Sequence, residues 1–197
     1  MKKLSNKMNK LVSTTKKLIF YHGIKKVSIE EICKESNVSK VTFYKTFRNK
    51  EELVLYILEE INVDAWKKYD KLMEQQIKFQ EKMKQLIQFK INWTLNYSKA
   101  FISDIMDGTY ASVSKQMQTQ KEKSIEAFKI ILTEGKNNGE FNTNLSSEFI
   151  LFMSTHVTNS MSDPIFQNLF KNTTEMFEHI MSFFFYGISA IGIVHEK

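Results

Sequence analysis

Proline is almost missing from this chain, one residue in 197, and there are only six glycines. So few turn formers exclude a sheet of many short strands, and the wealth of Lys, Glu, Leu, Ile and Met favours helices. The single cysteine, Cys33, excludes an intramolecular disulfide and suits a reducing compartment. The lysines at the N-terminus are not followed by an apolar segment, so no secretion signal is read and a cytoplasmic location is expected. No G-x-G-x-x-G and no phosphate-loop sequence occurs. The four histidines, at 22, 156, 179 and 195, lack metal-ligand spacing, and Cys33 has no clear His partner. Glu30-Glu31, Glu51-Glu52 and Glu59-Glu60 are neighbours along helices, point in different directions and read as surface. The expectation is a protein without catalytic residues, metal or cofactor.

What is present is a core and an uneven charge. Apolar residues make up 42% of the chain, enough to bury a core and to exclude wholesale disorder. The net charge of +6 hides an asymmetry: residues 1–50 hold 13 Lys+Arg against 3 Asp+Glu, while the remainder holds 15 against 19. A basic quarter on an acidic body fits a polyanion-binding module joined to a second domain. A solvated lysine-rich face is the plainer rival, and charge does not settle it, so the pattern has to decide.

Leu11, Thr15, Leu18, Ile19 and His22 recur on one face of a helix, and Gly23 supplies a left-handed stop. Ser28 with Glu31 forms a capping box for a short second helix carrying Ile29, Ile32 and Cys33 on one side. Ser36-Asn37-Val38-Ser39 reads as a tight turn, with Asn37 tolerant of positive φ and Ser39 placed to cap the next helix. That third helix is expected over about Lys40 to Phe47, with Phe43 and Phe47 facing inward. Asn49 with Glu52 marks the start of a fourth. Short helices joined by such a turn make a helix-turn-helix, whose second member lies in the major groove of DNA.

Taken together, Gly23 to Ile29, Ile32-Cys33, Val38 to Phe47 and Asn49 to Leu53 resemble the DNA-binding domain of the TetR family over about residues 8–55 without a gap. Asn37 stands where that family usually has Gly, Cys33 and Ser36 where it has Ala, and Val41 where a small residue is common. The resemblance implies that Ser28, Ser39, Thr42, Tyr44 and Lys50 meet phosphates, which fix register without reading sequence. Lys40, Val41 and Lys45 are candidates for base edges, a lysine donating to guanine and a branched side chain touching a thymine methyl. Each role has a plainer rival. Ser28 and Ser39 can be caps alone, Lys45 also reaches phosphate, and Cys33 reads as core. Tyr44 is expected outside, because Phe43 and Phe47 claim the inner side.

Past Lys50 the pattern stays helical, with Leu53, Ile57, Ile61 and Ala65 on one side of a long fourth helix. Further helices are expected over Gln75–Tyr97, Ser98–Met106, Tyr110–Asn137, Ser146–Ser160 and Thr173–Ile193. Breaks are expected at Asp107-Gly108, at Gly135 to Gly139 and at Asp163-Pro164. The fold class is all-α, divided into a DNA-binding domain at 1–52 and a helical regulatory domain at 53–197. Ile180 to Val194 is fifteen residues without a charge, short of the roughly 20 that span a bilayer. A partner subunit covers such a run more naturally. The resemblance implies a homodimer through the last two helices, reading a near-palindromic site on double-stranded DNA with no membrane involved. It also implies an effector pocket, for which Trp66, Tyr69, Phe89, Trp93, Tyr97, Phe101, Met106 and Tyr110 are candidates and an apolar or aromatic small molecule the ligand. An ordinary helical core explains the same residues. Asp104 and Asp107 favour a cationic ligand if turned inward, and otherwise are two solvated acids. The expected function is a repressor released from its operator by that effector. Two alternatives stand beside it: the same scaffold answering to a protein partner instead, and a helical ligand-binding or membrane-surface protein whose basic end meets anionic lipid.

Overall fold

The computed structural model describes residues 4–94, 97–140 and 145–188, and every regular element among them is an α-helix. In chain order these are α1 Asn6–His22, α2 Ile29–Ser36, α3 Lys40–Tyr44, α4 Lys50–Met73, α5 Phe79–Thr94, α6 Lys99–Met106, α7 Ala111–Asn137, α8 Ser147–Ser160, α9 Pro164–Gln167 and α10 Thr173–Ile188. The expected helices are present. Residues 95–96, 141–144 and 189–197, and with them the ends of the expected segments that reach into these stretches, lie outside the described residues.

Three expectations need correction. α3 stops at Tyr44 and tightens, with Thr46 N–H bonding back to Phe43 O at 2.9 Å, yet Phe47 N–H still reaches Phe43 O and its ring stays inside. Gly135 does not break α7, which runs to Asn137 as expected and is followed by Gly139 at φ 68°. Gly135 is needed for close approach instead: a Cβ there would lie 2.5 Å from the Phe79 ring. The break at Asp163-Pro164 holds a helix of its own, because Asp163 accepts the Ile165 N–H at 2.7 Å and proline fits the first helical position.

Packing divides the chain into two compact units, Met1–Lys67 with Asn96–Thr119, and Lys68–Leu95 with Gln120–Lys197. In the first, Leu11, Ile19, Ile24, Val27, Ile32, Phe43, Leu53 and Ile57 are buried together with Phe101 and Val113. His22 departs from its expected face and lies exposed, its ring edge-on to Tyr21. In the second, Leu72, Phe79, Met83, Leu86, Ile131, Leu132 and Ile150 form one apolar cluster. α10 packs on α5 and α8. The buried Lys82 donates to Glu134 at 2.9 Å along the same α5–α7 seam that Gly135 opens. Phe149 and Phe152 of α8, Phe183 of α10, Ile165 of α9 and Leu169 beyond it are all more than half exposed. Among the described residues no helix is long and apolar enough to cross a membrane.

Candidate nucleic-acid interface

The first unit builds a reading surface from local hydrogen bonds. α1 ends where Gly23, at φ 87°, turns its N–H to Ile19 O at 2.9 Å. Ser28 caps α2 by accepting the Glu31 N–H at 3.1 Å. α2 ends on Asn37 at φ 55° and ψ 45°, the left-handed conformation anticipated for that residue. Val38 N–H then bonds Cys33 O at 2.9 Å, which closes the turn tightly. Ser39 caps α3 by accepting from Thr42 N–H at 3.2 Å, and the two hydroxyls lie 2.9 Å apart. Asn49 accepts from Glu52 N–H at 2.8 Å and starts α4.

α3 is anchored from below. Phe43 is fully buried and Phe47 nearly so, and truncating such a ring to alanine costs about 3–5 kcal/mol. That anchor turns the opposite face outward: Val41 is 67% exposed and Tyr44 53%, with Lys40 and Lys45 exposed beside them and Thr42 half-buried. Large apolar side chains held in water on a helix this short present a contact surface rather than a core. The Tyr44 ring stands edge-on to Phe43 at 5.1 Å, which fixes its direction. Cys33 lies buried beneath the turn, and burial pushes its thiol pKa up, as suits a core residue.

Several charges have internal partners that sequence alone did not reveal. The Lys40 amine pairs with Glu30 of α2. The Lys50 amine donates to Ile24 O and Val27 O, each at 2.9 Å, and so ties the start of α4 to the loop between α1 and α2. An ammonium has three donors, so two carbonyls leave one for a phosphate. Arg48, 90% exposed at its side chain and next to the start of α4, is a further cation on this surface; its backbone N–H bonds Glu52 at 2.6 Å. Its position directly after the buried Phe47 and just before the Asn49 cap was the available signal.

α6 is clamped to the end of α1. Ser98 N–H donates to Phe20 O at 2.8 Å, and the rings of Phe20, Tyr97 and Phe101 meet at 4.6 to 4.9 Å. Asp104 accepts Lys25 N–H at 2.9 Å, and the Lys25 amine pairs with Asp107. The bond to Lys25 holds the Asp107 carboxyl below its ordinary range and raises Lys25 in turn. Asp104 and Asp107 are therefore neither two solvated acids nor vacant for a cationic ligand: the cation is Lys25. A Cβ on Gly23 would lie 2.7 Å from Asp104 Oδ2, so this glycine serves the docking of α6 as well as the end of α1.

The eight aromatic and Met candidates for an effector pocket are spread over both units. Tyr97 and Phe101 sit in the ring cluster just described, where burial pushes the Tyr97 phenol up. Tyr110 lies 5.9 Å from the Lys50 amine; Trp66 and Met106 are half-buried in the same unit. Tyr69 and Phe89 border the apolar cluster of the second unit, and the Tyr69 hydroxyl donates to Ala127 O at 3.3 Å. Trp93 belongs to α5, but its side chain lies outside the described residues.

Comparison with known proteins converges on the same module. Residues 11–57 match the family model described as bacterial regulatory proteins, tetR family. Over 142 residues the chain is 27% identical to the HTH-type transcriptional regulator QacR of Staphylococcus aureus, covering 69% of this chain and 74% of that one. Among solved structures, a TetR-family regulator from Agrobacterium tumefaciens superposes with TM-score 0.75 at 13% identity, over 93% of this chain and 98% of the other. The fatty acid degradation regulator FadR from Bacillus halodurans gives 0.69 at 17%, over 94% and 98%. A transcriptional regulator from Saccharomonospora viridis, solved in complex with choline, gives 0.74 at 13%, over 92% and 96%. At these identities the structural likeness is one of fold.

Proposed function

We propose that this chain is a TetR-family regulator and not an enzyme, a cytoplasmic homodimeric repressor released from a near-palindromic operator by a small molecule. The observation that carries the DNA-binding half is the outward face of α3, where Val41, Tyr44 and Lys45 stand exposed over the buried Phe43 and Phe47. In this reading Ser28, Ser39, Thr42, Tyr44 and the third donor of Lys50 meet phosphates, and Lys40, Val41 and Lys45 meet base edges. Residues 1–52 read DNA and 53–197 regulate. Dimerisation through α8 and α10 is supported by Phe149, Phe152 and Phe183, large apolar side chains that a second copy would cover.

Regulation is supported by the clamp between α6 and α1. A ligand that binds the DNA-incompetent state more tightly has only to move residues 98–107 for Phe20, Gly23 and Lys25 to move with them. That a protein of the same fold was solved with choline supports a small-molecule effector for this one. Tyr69, Phe89 and Trp93 in the second unit, or Trp66, Tyr97, Phe101, Met106 and Tyr110 in the first, remain the candidates to line its site.

The test is selection from random duplex DNA, followed by titration of the winner and a scrambled duplex across a salt series. A near-palindromic winner, bound far more tightly than the scrambled duplex, is the expected result. Tyr44→Ala should weaken it about tenfold or more while leaving the unfolding midpoint almost unchanged, because the ring is largely in water. Lys45→Ala should relax preference at one base pair; equal weakening on all DNA would make Lys45 a phosphate contact only. Weak binding to every duplex that vanishes with salt would reduce the site to a basic patch and sink the reading.

A further inference from the structure

Glu30 occupies the first turn of α2, ten residues before Lys40, and its carboxylate holds the amine of that lysine at the start of α3. We propose that Glu30 is a specificity-determining residue that acts through Lys40, keeping its amine off the phosphates of arbitrary DNA and in place for one base edge. The inference rests on α3 being the DNA-reading helix. Nothing about the pair serves folding strongly: the two side chains are 65% and 52% exposed, and ion pairs so wet contribute little stability. Their consequence is positional. An untethered lysine, on four flexible carbons, sweeps a wide arc and meets phosphates on any sequence. A tethered one keeps two donors for whatever acceptor the groove presents at that spot, and guanine O6 and N7 are such acceptors.

Three features support a tether over a chance encounter. The carboxylate end is itself fixed, because α2 is capped at Ser28 and the helix N-terminus favours an anion at Glu30. The amine end is fixed at its base by the cap at Ser39. That bond lowers the pKa of Glu30 and raises that of Lys40, so both partners stay charged and the attraction between them holds at neutral pH.

Glu30→Gln, Lys40→Gln and the double variant separate the possibilities on the selected duplex and a scrambled one, with thermal melts as the folding control. Glu30→Gln should tighten the scrambled duplex and narrow the preference for the selected one by about threefold or more. The log–log salt slope on scrambled DNA should steepen by about 0.9, one added phosphate contact, or about threefold more affinity lost between 50 and 200 mM salt. In the Lys40→Gln background Glu30→Gln should change neither quantity. If the gain persists there, Glu30 merely repels phosphates and the proposal fails. If Glu30→Gln leaves slope and preference unaltered while the wild type discriminates, the pair is ordinary surface and again the proposal fails, with the DNA reading intact. A wild type that does not discriminate overturns both.

Discussion

Replacing Gly23 by alanine should be far more damaging than the same change at Gly108, and the difference measures the docking of α6. Both glycines have positive φ, 87° and 78°; the strain of an L-residue is about 1–2 kcal/mol at Gly108 and about 1–3 kcal/mol at Gly23, whose ψ of 161° lies where essentially only glycine goes. Nothing lies within 4 Å of a Cβ built on Gly108, so its cost ends there. A Cβ on Gly23 would meet Asp104 Oδ2 at 2.7 Å and Ala100 Cβ at 3.1 Å. Asp104 must then give way, and with it the 2.9 Å bond it accepts from Lys25 N–H. A hydrogen bond to a charged acceptor contributes about 1.5–3 kcal/mol, and the Asp104 side chain is only 11% exposed, so most of that is at stake. Gly23→Ala should cost about 3–5 kcal/mol against about 1–2 kcal/mol for Gly108→Ala. At about 2–4 °C per kcal/mol for a chain of this size, the melting points should separate by roughly 5–10 °C. Chemical unfolding at equal protomer concentration is the assay, because dimerisation makes apparent stability depend on concentration. Adding Asp104→Ala should cost Gly23→Ala much less than it costs the wild type, since the bond is already gone. If the two glycine variants lie within 0.5 kcal/mol of each other, α6 does not dock on Gly23 as described.

The acid limb of stability should depend on Asp107. Its folded-state pKa is depressed by Lys25, so its contribution is complete above the unfolded value of about 3.9 and is lost as pH falls through the lower folded value. Unfolding midpoints measured from about pH 2 to 7 should fall less steeply below about pH 4 in Asp107→Asn; an unchanged limb would contradict the pairing. In the second unit, Glu134→Ala strands the buried Lys82 and should cost about 2 kcal/mol, less than a fully buried pair because Glu134 is 38% exposed, whereas Lys82→Met should stay within about 1 kcal/mol of wild type by denaturant titration. Equal losses would mean the pair stabilises rather than merely compensates burial. Ser39→Asp separates cap from contact: a carboxylate caps α3 as well as a hydroxyl, so stability should hold within about 0.5 kcal/mol while DNA affinity drops at least tenfold. Retained DNA affinity would leave Ser39 as a cap alone.

What could be read from sequence was whatever the chain settles within a few residues. Ser28 with Glu31, Ser39 with Thr42 and Asn49 with Glu52 are contacts three apart, and the residue types announce them. Asn37 was legible for the same reason, because few residues other than glycine accept φ 55°. Phe43 and Phe47 follow from helical spacing. What stayed hidden depends on partners far along the chain. Lys25 meets Asp104 across 79 residues, and Lys50 bonds carbonyls 23 and 26 residues back. Gly135 looked like a helix stop because the ring that needs its bare Cα, Phe79, is remote in sequence. α9 was missed although its signal was present, since aspartate followed by proline is a helix start as well as a break.

The same distinction bears on the charge asymmetry that first suggested a polyanion partner. Of the thirteen basic residues in positions 1–50, Lys25 is matched by Asp107, Lys40 by Glu30 and Arg48 by Glu52, and Lys50 faces two carbonyl dipoles. Asp107 lies outside that stretch, so counting by sequence segment assigns its charge to the wrong surface. The field at the reading face is consequently weaker than the segment's formal +10, and it is concentrated on cations such as Lys45 on α3. A weaker general field lowers affinity for every duplex alike, because phosphate attraction carries no sequence information. It lowers affinity for the operator by the same factor, so the field alone leaves the ratio of operator to random DNA unchanged, and that ratio is set by the base-edge contacts. Internal pairing of a lysine raises discrimination only where it removes a phosphate contact that random DNA would gain and the operator would not, which is the case argued for Glu30 and Lys40.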